Sequence, residues 1–242
     1  MSVFKDLVNI WKSEDSLSQA WSESNDMLHL SHDIFNDAVE ALRSGEKNKV
    51  LKSIKLRDEK INDYHREIRK KVVTYYSVSK DVTNIGSGLV LINIIVDIER
   101  IGDYSKNILD LAKHYPRKFV SEKFSENLSI IERVVIDRFS TTIQAVENMD
   151  EKIADDLITS YRNDLGKISD KIVASSISGE IEIGKENRTA SVALYARYLK
   201  RIGAHLKNIT SSVVNPFESI GYNKQFFFLS FFGKLLVLKT KS

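Results

Sequence analysis

The acids Glu99 and Asp103 stand four residues apart in this 242-residue chain, a spacing at which two carboxylates can share a ligand. Residues four apart lie on one face of an α-helix, so these carboxylates would be one turn from each other. Asp58 and Asn62 form a second four-spaced pair of oxygen donors. If antiparallel neighbouring helices carry the two pairs, their oxygen ligands converge. Such a set suits hard cations such as Mg²⁺, Ca²⁺, Mn²⁺ or ferric iron.

A solvated, charged helix face is the alternative explanation of these acids. Each pair has basic neighbours, such as Lys60 and Arg100, and the spacing alone favours a surface over a metal site. Neither pair includes a histidine, so a di-iron site of the Glu-x-x-His type is not expected. The sequence also offers no glycine-rich phosphate loop after a strand and no nucleophile beside a base. We therefore expect a protein that is not an enzyme.

Hydrophobic periodicity predicts an all-α fold in which long helices position these acids. The oxygen donors Asp58 and Asn62 belong to a predicted helix over residues 46–77. The acids Glu99 and Asp103 belong to one from about Gly88 to His114. The apolar stripe of the first of these is predicted to be Val50, Ile54, Ile61, Ile68 and Val72. The other predicted helices include residues 32–45, 125–150, 151–176 and 187–214.

An internal duplication organises the chain. The segment "DIERIGDYSKNI" from Asp97 matches "YLKRIGAHLKNI" from Tyr198 in register, but Lys200 replaces Glu99 and Ala204 replaces Asp103. The economical interpretation is two units of three helices each. We predict an N-terminal segment and first repeat over residues 1–116, a second repeat over 117–222 with a degenerate acidic motif, and a tail over 223–242. Folding needs the shared apolar frame in both copies, whereas the acids can be lost from one.

Composition excludes several classes of function. The chain has no cysteine, so it cannot form disulfides or zinc–thiolate sites. Its net charge of +3 is too small to argue for nucleic acid, and no nucleic-acid partner is expected. The N-terminus lacks the apolar stretch of a signal peptide, so we do not expect secretion. The longest apolar stretches, Leu89–Val96 and Phe226–Leu238, are too short to span a bilayer as a simple helix.

The tail "NKQFFFLSFFGKLLVLKTKS" is aromatic, then branched and basic. It could pack on the bundle as a strand or helix, or it could contact a membrane or a partner. A disordered tail, or one that is not native, is a further alternative. The tail lies outside the duplication, so the repeat does not decide among these alternatives.

The motif "ERIGDYSKNI" (Glu99–Ile108) resembles the signature of the PhoU family of phosphate-transport regulators. The resemblance covers roughly residues 25–222 and implies tandem three-helix bundles in a cytoplasmic protein that forms a homodimer. It also implies a metal cluster bound by the acidic motifs. The implied ligands are Glu99, Asp103, Asp58, Asn62, where the family usually has an acid, and Asp97. The metal could be iron, Mg, Mn, Ca or Zn.

In the second half, Lys200 and Ala204 occupy the acid positions of the motif, and Leu165 and Ser169 occupy those of the preceding helix. We therefore expect metal at the first repeat only, or none. The resemblance further implies a non-catalytic regulator or adaptor of phosphate uptake. Its partners would be the cytoplasmic subunit of a phosphate transporter or a phosphate carrier, and a sensor kinase.

Two alternatives to a regulator remain open at this stage. One is a helical module, associated with a phosphate carrier, that binds a partner or contacts a membrane peripherally through its tail. The other is a metal-dependent phosphohydrolase that uses the acids of the first repeat, for which the sequence offers no evident base or phosphate clamp.

Overall fold

The computed structural model describes residues 16–78, 85–114, 125–180 and 188–222. The α-helices in these ranges are α1 (Ser16–Ser44), α2 (Asn48–Val78), α3 (Ile85–His114), α4 (Ser125–Glu147), α5 (Glu151–Tyr161), α6 (Lys167–Ser178) and α7 (Arg188–Val214). No strand occurs within these ranges, and the predicted all-α class is confirmed. No helix there combines the length and the apolar composition that crossing a bilayer requires.

Several predictions concern residues outside the described ranges. These are the segment before residue 16, the repeat boundary at residues 116 and 117, and the aromatic tail over 223–242. The domain boundaries therefore stay predictions.

Helices α1, α2 and α3 pack into the first bundle. The predicted stop after α1 is confirmed, because Gly45 has a φ of 73°, a left-handed conformation that glycine adopts without strain. The stripe predicted for α2 is wrong at its start: Val50 is exposed, and Leu51 is buried. The stripe follows the helical period through Leu51, Ile54 and Asp58, so a carboxylate lies on the buried face of α2.

The third helix begins slightly before its predicted start near Gly88. The "IGSG" stretch forms its first turn, with Ser87 and Gly88 buried. A Cβ at Gly88 would overlap the ring of Tyr76, so glycine lets this ring pack against α3 where α2 and α3 approach each other.

The second bundle consists of α4, the α5–α6 pair and α7. The single helix predicted over residues 151–176 is interrupted by a π turn at Arg162–Gly166. A π turn adds one residue to a helical turn and so rotates the side chains that follow it. Arg138 of α4, itself buried, donates hydrogen bonds to the Leu157 carbonyl (2.6 Å) and to Ser160 Oγ (2.5 Å), which fixes the end of α5 beside the turn.

The two bundles meet along α3 and α7, the helices that carry the duplicated segment. Asp97 of α3 contacts His205 of α7, with Oδ1 2.7 Å from Nδ1. In the duplication, Tyr198 of α7 is equivalent to Asp97, and Tyr104 of α3 is equivalent to His205. These two tyrosines also face each other, with ring centroids 6.0 Å apart. Each helix thus uses the same two positions against the other, as expected for a pseudo-two-fold interface between repeats.

Candidate metal centre in the first repeat

Asp58 of α2 is the buried anchor of the acidic cluster, with only 5% of its surface exposed. Its Oδ2 accepts hydrogen bonds from Lys106 Nζ (2.6 Å) and from Asn62 Nδ2 (3.3 Å). Its Oδ1 lies against Gly102 of α3, where a Cβ would stand 2.7 Å from that oxygen. Because no side chain fits there, glycine is what allows the carboxylate to approach the backbone of α3.

Lys106 joins the acids of the two helices. Its ammonium lies 2.6 Å from Asp58 Oδ2 and 2.9 Å from Asp103 Oδ1. Burial alone would lower the pKa of Lys106, but the hydrogen bonds to Asp58 and Asp103 outweigh it and the pKa is raised. A positive charge of the protein itself therefore lies where these two carboxylates converge.

Glu99 lies one turn before Asp103 on the same helix. Burial raises the pKa of Glu99, and the neighbouring charge of Asp103 raises it further. Arg100 opposes part of this shift, with Nε 3.7 Å from Glu99 Oε2 and Nη1 3.3 Å from Asp103 Oδ2. The cluster thus holds more negative charge than Lys106 alone can neutralise, and this excess contributes to the raised pKa of Glu99.

Asp97 does not join this cluster. Its Oδ1 accepts from Asn208 Nδ2 (3.2 Å) and contacts His205, so its carboxylate faces the second repeat. The two-residue offset from Glu99 explains this, because it places Asp97 on a different face of α3.

Four of the five predicted ligands therefore lie together, and their oxygen donors are chemically suited to a hard cation. Their arrangement is nevertheless that of an ion-pair cluster. Within the described ranges, no three His, Asp or Glu side chains come together as a ready-made metal site. Lys106 occupies one oxygen of each of Asp58 and Asp103, at 2.6 and 2.9 Å.

Two nearby residues were not predicted from the sequence. Lys106 stands three residues after Asp103 and seven after Glu99, and this helical spacing could have shown that it shares their face. His65 stands seven residues after Asp58 on α2. Its Nε2 is buried without a hydrogen-bond partner, and its pKa is lowered by burial and by nearby arginines, including Arg100.

The second repeat has the same close approach to a glycine as the cluster, but other side chains make it. Leu165 packs against Gly203 at the position where a Cβ would be, as Asp58 does against Gly102. Ser169, the counterpart of Asn62, donates its hydroxyl hydrogen bond to the Ala196 carbonyl (2.8 Å). The side chain of a leucine thus fills the space that a carboxylate occupies in the first repeat.

These features define a class of protein: paired three-helix bundles with an acidic motif on the third helix of at least one bundle. Residues 25–112, which span most of α1 and nearly all of α3, match the family model of the PhoU domain. The match covers the first repeat only and includes the acidic motif.

Solved structures share the fold over both repeats. The crystal structure of PhoU from Pseudomonas aeruginosa matches with a TM-score of 0.74 at 20% identity, covering 82% of this chain and 95% of that one. The phosphate transport system regulatory protein PhoU from Streptococcus pneumoniae matches with a TM-score of 0.69 at 15% identity, covering 82% of this chain and 93% of that one. A comparison of the sequence with curated proteins found no match.

The contact between Gly102 and Asp58 leads to a test by double-mutant cycle. Gly102→Ala should destabilise the protein by about 1 kcal/mol in urea unfolding. Overpacking costs roughly 1–3 kcal/mol, and the helix propensity of alanine returns up to about 1 kcal/mol. In an Asp58→Ala background the carboxylate is gone, so Gly102→Ala should be neutral or stabilising.

Gly86→Ala is the matched control, since nothing lies within 4 Å of a Cβ at that position. It should behave alike in both backgrounds. An equal cost of Gly102→Ala with and without the Asp58 carboxylate would contradict the close approach described here.

Proposed function

We propose that the protein is a non-catalytic regulator of phosphate uptake. The observation that carries this proposal is the match of residues 25–112 to the PhoU domain, which includes the whole acidic cluster. The similar fold of a protein titled a phosphate transport system regulatory protein supports it further. The bundles supply helical surface for docking, and the acids Asp58, Glu99 and Asp103 lie between two of the helices.

The partner in this proposal is the phosphate transport system, through a cytoplasmic transporter subunit or a phosphate carrier. A sensor kinase is a second partner in this proposal. The proposal also places the protein in the cytoplasm as a homodimer. These finer statements follow from the resemblance of the motif Glu99–Ile108 to the family signature.

Deleting the gene should raise phosphate uptake and induce phosphate-starvation genes in cells supplied with ample phosphate. Both should be measured by labelled phosphate influx and a starvation-gene reporter. The wild-type chain should restore the low values, and Glu99→Gln/Asp103→Asn should restore them only in part.

The matched control is Asp63→Asn/Glu67→Gln, which removes two exposed acids of α2 outside the cluster. This variant should complement as the wild type does. Unaltered uptake and unaltered reporter expression in the deletion strain would overturn the regulatory proposal.

We also propose that metal binding is confined to the first repeat and competes with Lys106. The support is the set of oxygen donors, Asp58, Asn62, Glu99 and Asp103, together with the position of the Lys106 ammonium between two of them. An internal cation offsets the charge that a metal ion would otherwise neutralise, so it weakens metal binding.

Removing the competing charge should strengthen metal binding. Lys106→Gln should bind Mn²⁺ at least about tenfold more tightly than the wild type, by isothermal titration calorimetry. Glu99→Gln/Asp103→Asn should bind none. Lys207→Gln, the same change at the equivalent position of the second repeat, should leave Mn²⁺ affinity unchanged.

Elemental analysis of the purified proteins provides an independent readout. Unchanged metal content or Mn²⁺ affinity in Glu99→Gln/Asp103→Asn would rule out the first-repeat site. Unchanged affinity in Lys106→Gln would rule out the competition.

A further inference from the structure

The second repeat has reversed the charge of the position where the first repeat holds its acids. In the first repeat, Asp58, Glu99, Asp103 and Lys106 contribute three carboxylates and one ammonium, a net charge of −2 at neutral pH. The equivalent residues of the second repeat are Leu165, Lys200, Ala204 and Lys207, with a net charge of +2. The frame that gathers negative charge in one bundle therefore gathers positive charge in the other.

A cavity of about 360 Å³ lies beside two of these residues, Lys200 and Lys207. Its size falls within the usual range for pockets that hold small molecules. It is lined by Ile158, Thr159, Tyr161, Arg162, Gly166, Lys167, Asp170, Lys200 and Lys207, which we call the basic pocket. Four basic side chains and one carboxylate give its lining a net charge of +3.

Lys207 is a half-buried cation of the basic pocket. Its counterpart Lys106 has two carboxylate partners, whereas Lys207 makes no ion pair within the described part of the chain. Its ammonium lies 5.8 Å from the centre of the Tyr161 ring. Burial lowers the pKa of Lys207, because the half-buried ammonium loses solvent and no carboxylate of the described residues offsets that loss.

The single acid of the basic pocket does not neutralise it. Asp170 Oδ1 lies 2.5 Å from Lys200 Nζ and 4.0 Å from Arg197 Nη1, so its charge is shared with residues other than Lys207. The side chain of Asp170 is 59% exposed, and its interactions are therefore weakened by solvent. Arg162 and Lys167 add further positive charge from the π turn and the start of α6.

The π turn contributes to the shape of the pocket. Arg162 and Gly166, its first and last residues, both line the cavity. π turns within helices frequently occur at functional sites, because the extra residue redirects side chains away from regular helical positions. The π turn between α5 and α6 thus lies at the same place as the basic side chains of the pocket.

We propose that the basic pocket binds a phosphate-type oxyanion, with Lys200 and Lys207 as its principal cationic contacts. Lysine ammoniums bind phosphate oxygens through charge-assisted hydrogen bonds, and they do so more strongly in a partly desolvated cleft. The cavity volume accommodates a single phosphate or a larger phosphorylated anion. This binding does not depend on the regulatory role proposed above and can be measured on the purified chain.

Isothermal titration calorimetry at low ionic strength, with orthophosphate and pyrophosphate as separate probes, tests the site. The wild type should bind at least one of them, and tighter binding of pyrophosphate would identify a ligand with more than one phosphate. Lys200→Gln/Lys207→Gln should weaken binding at least about tenfold. The matched control Lys49→Gln/Lys52→Gln removes the same charge from exposed positions of α2 and should bind as the wild type does.

Circular dichroism and the unfolding midpoint show whether each variant is folded before its affinity is compared. The single variant Lys207→Gln provides a second measurement, and it should also weaken binding without unfolding the bundle. The proposal is overturned if the wild type binds neither probe. It is equally overturned if the α2 control loses as much affinity as the pocket variant, because binding would then reflect overall charge alone.

Discussion

The buried carboxylate of Asp58, held between Gly102 and Lys106, is the constraint on which the first repeat depends. A carboxylate that is 5% exposed needs a partner, since an unpaired charge in such a place costs several kcal/mol. Lys106 supplies the counter-charge at 2.6 Å, and Gly102 supplies the space. The same two helices then bring Asp103 and Glu99 beside them. The acidic motif is therefore a packing element of the bundle as well as a set of oxygen donors.

The duplication shows which part of this arrangement the fold itself requires. The glycine persists in both copies because each third helix is approached closely at that point, by Asp58 in one repeat and by Leu165 in the other. A leucine needs no counter-charge, and Lys207 of the second repeat makes no ion pair with any residue that the structure describes. Lys207 lies beside a cavity, and this difference between the repeats explains how one scaffold can present opposite charge in its two halves. At the α3–α7 interface, the pseudo-symmetry is seen in the contact of Asp97 with His205 and of Tyr198 with Tyr104.

Much of the fold could be predicted from the sequence because the signals are local. Most helices could be predicted from apolar periodicity and from the glycine after α1. The repeat of the motif predicted their grouping into two units. The site could be predicted only in part. Spacing placed Glu99 with Asp103, but it could not show that Asp97 contacts His205, because that contact joins residues far apart in the chain. The π turn was not predicted either. It lines the cavity together with residues of α7, which lie far from it in the sequence, and no local pattern records that packing.

The coupling free energy between Asp58 and Lys106 tests the central claim most directly. It is obtained from urea unfolding of the wild type, Asp58→Ala, Lys106→Ala and the double variant. We predict a favourable coupling above about 1 kcal/mol, because a hydrogen bond between charged groups in a buried setting is worth roughly 1.5–3 kcal/mol. Costs that add to within about 0.5 kcal/mol would show that the two side chains act independently, and would contradict a first repeat built around this pair.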